Sequence, residues 1–272
     1  MSHTVSSHTL PVFALGENDP EPVEVVNPSG SSPFVITCEH AGRAVPEHLG
    51  NLGVEDRHLS RHIAWDIGVD AVGRALVKTL DAPVVFQRYS RLVIDCNRPV
   101  WAEDSIPETS DGTEVPANLA VSDAERDARY EQIHKPFHDE VAAIIDQRVS
   151  ENRQTALIAL HSFTPCLEAR PAPRPWHLGI LFNRDDALSQ FIHDAMEEEA
   201  GHMTFTFNEP YEVEDFGDYT IPVHGEQRGL PHSLLEIRND HISDEAGQRE
   251  WTDVLTRVLQ RVGRRLEAIQ KL

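Results

Sequence analysis

An apolar, β-branched run, Phe34-Val-Ile-Thr-Cys38, stops at Glu39-His40, and Ala41-Gly42 then opens a turn. A strand with no polar alternation is buried on both faces, as in a parallel sheet, and such sheets keep their chemistry at the carboxyl ends of the strands. The pattern recurs twice. Ala156-Leu-Ile-Ala-Leu160 runs into His161-Ser162, and Ser233-Leu-Leu235 runs into Glu236-Ile-Arg238. Two histidines and a carboxylate at three strand ends are expected to share one site. Segments of helical period lie between the runs. Apolar residues recur at Ile63, Ile67, Val69, Val72, Leu76 and Leu80, and a long amphipathic stretch covers residues 243–269. This β–α alternation predicts an α/β fold, a single three-layer α/β/α domain around a mixed, mostly parallel sheet.

Further strands are expected at Pro83–Phe86, Leu92–Asp95, His177–Phe182 and Met203–Phe207. A helix is expected from about Asp185 to Ala200. Ser122-Asp-Ala-Glu125 resembles a capping box opening a helix that runs to Val149 with a kink or break at Pro136. Residues 99–121, 165–175 and 208–231 read as loops. Residues 1–32, rich in Pro, Ser and acidic residues, read as an extended arm carrying one apolar patch, Leu10–Leu15, ahead of the domain at 33–272.

Forty-five acidic residues against 24 basic ones leave a net charge of -21. That field opposes nucleic acid, anionic membrane surfaces and any polyanion as partner, so a small molecule is the expected ligand. An anionic substrate would need a local arginine cluster to hold it. Three cysteines without a CxxC pair argue for a reducing, cytoplasmic setting. No basic-then-apolar leader is visible at the start of the sequence, and no run is long enough to span a bilayer.

A hydrolytic zinc site commonly takes three ligands from His and Asp/Glu and leaves a position for water. His40 and His161 are the expected nitrogen ligands. Asp66 or Glu39 supplies the third, and Asp66 is preferred because adjacent residues in extended chain point to opposite faces. Glu236 is the expected general base. Asn97-Arg98, with Arg91 and Arg238 as further candidates, offers the planar fork and amide suited to a substrate carboxylate. Two other readings stay open: a thiol amidohydrolase using Cys38 or Cys96, and a ligand-binding protein without turnover.

Taken in order, Glu39-His-Ala-Gly42, Ala64-Trp-Asp-Ile-Gly68, Arg91-Leu-Val-Ile-Asp-Cys-Asn-Arg-Pro99, Leu160-His-Ser162 and Leu235-Glu-Ile-Arg238 resemble the N-formylglutamate amidohydrolase family over residues 34–242. The resemblance implies a fold like the zinc-dependent exopeptidases and removal of a small acyl group, formyl by analogy, from an acidic amino acid such as glutamate in amino-acid catabolism. It implies that Asn97-Arg98 is similar to the carboxylate-binding pair of zinc carboxypeptidases, and Glu236 to their catalytic glutamate. One departure stands out. The relatives take a His and a Glu ligand from His-x-x-Glu, whereas position 43 here is Arg.

Overall fold

The computed structural model describes residues 13–270. In chain order its elements are β1 (Val23–Val26), β2 (Phe34–Cys38), the short α1 (Asp56–Leu59), α2 (Val69–Leu80), β3 (Val84–Gln87), a β4–β5 hairpin (Thr109–Ser110, Thr113–Glu114), and α3 (Asp123–Arg129). They continue as α4 (Lys135–Ser150), β6 (Ala156–Phe163), β7 (Leu178–Leu181), α5 (Ala187–Ala200), β8 (Phe205–Phe207), β9 (His232–Arg238) and α6 (Glu245–Gln270). Seven strands form one sheet in the order β1-β3-β2-β6-β9-β7-β8. The four central strands β3, β2, β6 and β9 are mutually parallel, and β1 and β7 join antiparallel at either side.

Every residue of β2, β3, β6 and β7 is buried, as expected of strands covered on both faces. One face packs on α2, α5 and α6. The stripe Trp251, Val254, Leu255, Val258, Leu259, Val262 of α6 recurs at helical spacing and is buried there. Burying each such side chain contributes about 1.5–3 kcal/mol. The other face packs on α4. Among the described residues no helix is long and apolar enough to cross a membrane.

Three expectations change. Val23–Val26, inside the segment read as an arm, is an edge strand of the sheet in antiparallel register with β3, and Phe13 is buried; residues 10–12 of the apolar patch lie outside the described residues. Leu92–Asp95 is a buried turn, not a strand. Its backbone groups find partners outside any ladder: Leu92 N–H donates to Ser90 Oγ, while Leu92 O and Val93 O accept from Asn118 and the buried Arg129 guanidinium. The helix read from His62 begins only at Val69. Ser122 does cap α3 through the Glu125 N–H, and the expected break before α4 is a π-helical turn, Tyr130–His134.

Candidate active site

Strand register assembles the site. β6 and β9 are parallel neighbours with His161 directly beside Glu236, so both side chains leave the same face at the same height. His40 follows β2, which pairs with the other side of β6. Asp66 comes from the turn ahead of α2, where its N–H donates to His40 O at 2.8 Å. Gly68 makes that turn possible. Its φ is +86°, and a Cβ there would lie 2.2 Å from Ile242 O, so a side chain would push the Asp66 turn off the body.

The three expected ligands meet. His40 Nδ1 and His161 Nδ1 are 3.1 Å apart, and Asp66 Oδ2 stands 3.0 Å from His161 Nδ1 and 3.6 Å from His40 Nδ1. All three residues are buried, and their ligand atoms lie within 4.8 Å of one another. The far nitrogens also stand beside carboxylates, His40 Nε2 in a hydrogen bond and His161 Nε2 in a charge contact outside hydrogen-bond geometry. His40 Nε2 is 2.6 Å from Asp95 Oδ1, and His161 Nε2 is 3.0 Å from Glu39 Oε2. A neutral imidazole carries one proton, and a carboxylate facing Nε2 favours the proton on that side of the ring. Both Nδ1 lone pairs then face each other and a carboxylate oxygen, with no donor between them. A divalent cation satisfies that arrangement.

The electrostatics agree. Four buried carboxylates, Glu39, Asp66, Asp95 and Glu236, surround the two histidines, against the guanidinium of Arg91, which is 2.6 Å from Asp95 and 3.7 Å from Asp66, and the more distant Arg98. Burial opposes ionisation of Asp66, but the charges and hydrogen bonds of His40 and His161 win and hold it below the usual carboxylate range. Burial likewise opposes a charged His161, yet Asp66 and Glu39 draw it well above its ordinary value. The cluster demands positive charge, by a proton or by a metal ion.

Glu236 is the one of these four carboxylates that its surroundings raise and do not lower. Its Oε2 has no hydrogen-bond partner. Burial, helped by the nearby Asp66 charge and resisted by His161, pushes it up to about 7. A carboxylate poised near neutrality is suited to taking and returning a proton. It lines a cavity of about 440 Å³ with His40, Asp66, His161, Arg91, Asn97 and Arg98.

Arg238 is the exception among the expected residues. It sits further along β9, held by Asp240 at 2.8 Å, His241 at 2.8 Å and Arg174 O at 3.1 Å, and is not part of this lining. Glu39 approaches His161 from the Nε2 side, away from Asp66, so it lies behind the ring and outside the three converging atoms. The two thiols are equally remote. Cys38 and Cys96 are buried, neither lines the cavity, and burial pushes both well above the ordinary thiol range. Sequence reasoning missed the carboxylate partners of the two histidines, and it missed Tyr211 and Asp218, which close the cavity from the 208–231 loop. Asp95 had a signal, a carboxylate closing an apolar run. Asp218 had none.

A search of curated proteins gave no match. Among solved structures, the Agrobacterium tumefaciens gene product Atu2144 is 34% identical over 94% of this chain and 99% of its own, with a TM-score of 0.87. An N-formylglutamate amidohydrolase from Ralstonia eutropha JMP134 shares the fold at 17% identity, over 92% of this chain and 99% of its own, with a TM-score of 0.65. The N-formylglutamate amidohydrolase family matches residues 32–243, close to the 34–242 span of the ordered motifs. The chain therefore belongs to the N-formylglutamate amidohydrolase family, hydrolases that act on amide C–N bonds.

Proposed function

We propose that the protein is a metal-dependent amidohydrolase that removes a small acyl group, formyl by family, from an amino acid with an acidic side chain such as glutamate. The observation that carries this reading is the convergence of His40 Nδ1, His161 Nδ1 and Asp66 Oδ2 beside the unpartnered carboxylate of Glu236. His40, His161 and Asp66 would hold the ion, with Asp95 and Glu39 fixing the two rings. A bound zinc ion would acidify water and polarise the scissile carbonyl.

The remaining steps belong to side chains. Glu236 takes the proton from the attacking water and passes it to the departing amine, which its position near neutrality allows in both directions. Arg91 lines the same cavity and offers a fixed positive charge to the carbonyl oxygen as charge develops there. Asn97 and Arg98 read the substrate carboxylate. The three cysteines are unpaired, which supports a reducing, cytoplasmic location.

The test is release of formate or acetate from a panel of N-formyl and N-acetyl amino acids, before and after chelation and after zinc is restored. N-formyl substrates with acidic side chains are expected to be turned over fastest, with activity abolished by chelation and recovered on zinc addition. Full activity in the chelated protein would overturn the metal dependence.

A further inference from the structure

Asn97 and Arg98, assigned above to the substrate carboxylate, already hold one. Asn97 Nδ2 donates to Asp218 Oδ1 at 2.9 Å, and Arg98 Nη1 donates to the same oxygen at 3.2 Å. The second Asp218 oxygen accepts the Glu214 N–H at 3.0 Å. Asp218 lines the cavity alongside Glu236, His40 and His161. One carboxylate oxygen thus receives both the amide and the guanidinium donor that a substrate carboxylate would receive.

We propose that Asp218 is a specificity-determining residue, an internal stand-in for the substrate carboxylate that must be displaced from Asn97 and Arg98 before an anionic substrate seats. The inference rests on the carboxylate-reading role of that pair.

The surroundings permit the exchange. The pair is not sealed: the Asp218 and Arg98 side chains keep 13% and 25% exposure, so water or a ligand carboxylate can take over either partner as the contact opens. The backbone need not travel. Tyr219 and Thr220 N–H groups donate to Asn97 Oδ1 at 3.3 and 3.1 Å, and Asn183 donates to Asp215 at 2.7 Å on the other side. These anchors hold the loop while a rotation about the Asp218 side chain frees the pair. Arg98 Nε stays bound to Asp104 at 2.9 Å, which keeps the fork oriented during the exchange.

A seated Asp218 therefore acts as a threshold. A ligand carboxylate gains the pair only by out-competing an intramolecular one, whereas a neutral group leaves Asp218 in place. Asp218→Asn removes the competing charge and keeps the side-chain size. The experiment compares zinc-loaded wild type, Asp218→Asn, Arg98→Ala and the double variant on N-formyl-L-glutamate and its α-carboxamide.

Asp218→Asn is expected to raise the carboxylate-to-carboxamide ratio of kcat/KM about tenfold, mainly through a lower KM. That gain is expected to vanish in the double variant, because the vacated guanidinium is what the substrate uses. A ratio that is unchanged or lower in Asp218→Asn, with Arg98→Ala still collapsing it, would overturn the stand-in and leave the carboxylate-reading pair intact. If Arg98→Ala leaves the ratio at the wild-type value, the carboxylate-reading role itself fails, and the stand-in with it. Should the carboxamide prove too poor a substrate, the inhibition constant of free L-glutamate gives the same comparison, and it is expected to drop about tenfold in Asp218→Asn.

Discussion

Replacing Glu236 by Gln keeps the volume of the side chain and one carbonyl oxygen in the buried cavity but removes the only carboxylate there that is both unpartnered and near neutrality. The ligand set is untouched, so zinc content is expected to stay at the wild-type level. A positioned general base contributes about 10²–10⁴-fold, and the loss of kcat should fall in that range, about 2.7–5.5 kcal/mol in barrier height. KM should change little, because Glu236 handles the proton and not the carboxylate. The pH profile is a second readout. A base must be deprotonated to act, so wild-type kcat/KM should fall as pH drops through a limb at or below about 7, the bound cation lowering the value set by burial and Asp66. The variant's residual activity should lack that limb. Initial rates of formate release between pH 5 and 9 supply both numbers. A kcat within about threefold of wild type, with the limb retained, would refute the assignment of Glu236 as the base.

Three further outcomes follow from other contacts. Asp95→Asn removes the negative charge facing His40 Nε2 and is expected to weaken zinc binding about 10–100-fold while Asp66 and His161 remain, measured by competition with a chromophoric chelator; unchanged affinity would mean that Asp95 only anchors Arg91. His224 is buried and held neutral, its pKa lowered to about 4, and His138, 3.0 Å away, is lowered too, so below about 6.5 the unfolded chain binds protons that the folded one refuses. Stability should accordingly drop as pH falls from about 6.5 to 4, by about 3 kcal/mol for His224, and His224→Gln should flatten that slope in urea titrations; a flat wild-type slope would contradict the neutral assignment. Leu255→Ala, in the fully buried stripe of α6, should cost about 2–5 kcal/mol in the same assay, and a loss below about 1 kcal/mol would show that this helix is not part of the main core.

The sequence made legible those parts of the site whose position depends on a strand ending. His40, His161 and Glu236 each follow or close an apolar run, and parallel register brings such ends to one edge without further information. The sequence singles out Asp66 as a residue in the first turns of a helix, whereas the chain places it in the turn ahead of α2. The apolar run Leu92-Val-Ile94 misled for a physical reason. Burial was readable, but a strand also needs a ladder partner, and this segment's hydrogen bonds go to Asn118 and Arg129, 26 and 36 residues away. Ring orientation was equally hidden. Nothing local says that His40 turns Nε2 toward Asp95 and Nδ1 toward His161. The pairing of Asn97 with Asp218 spans 121 residues of chain and depends on where a loop without periodic pattern comes to rest.

Zinc stoichiometry in ligand variants tests the central claim most directly. Wild type, His40→Ala, His161→Ala, Asp66→Ala and Glu39→Ala would be purified in parallel, checked for folding by circular dichroism, and analysed for bound metal after dialysis against trace zinc. The account predicts about one zinc per wild-type chain, near none in the His40, His161 and Asp66 variants, and retained but weakened binding in Glu39→Ala, whose carboxylate only orients His161. Equal zinc in wild type and both histidine variants, or full binding in Asp66→Ala alongside loss in Glu39→Ala, would contradict it.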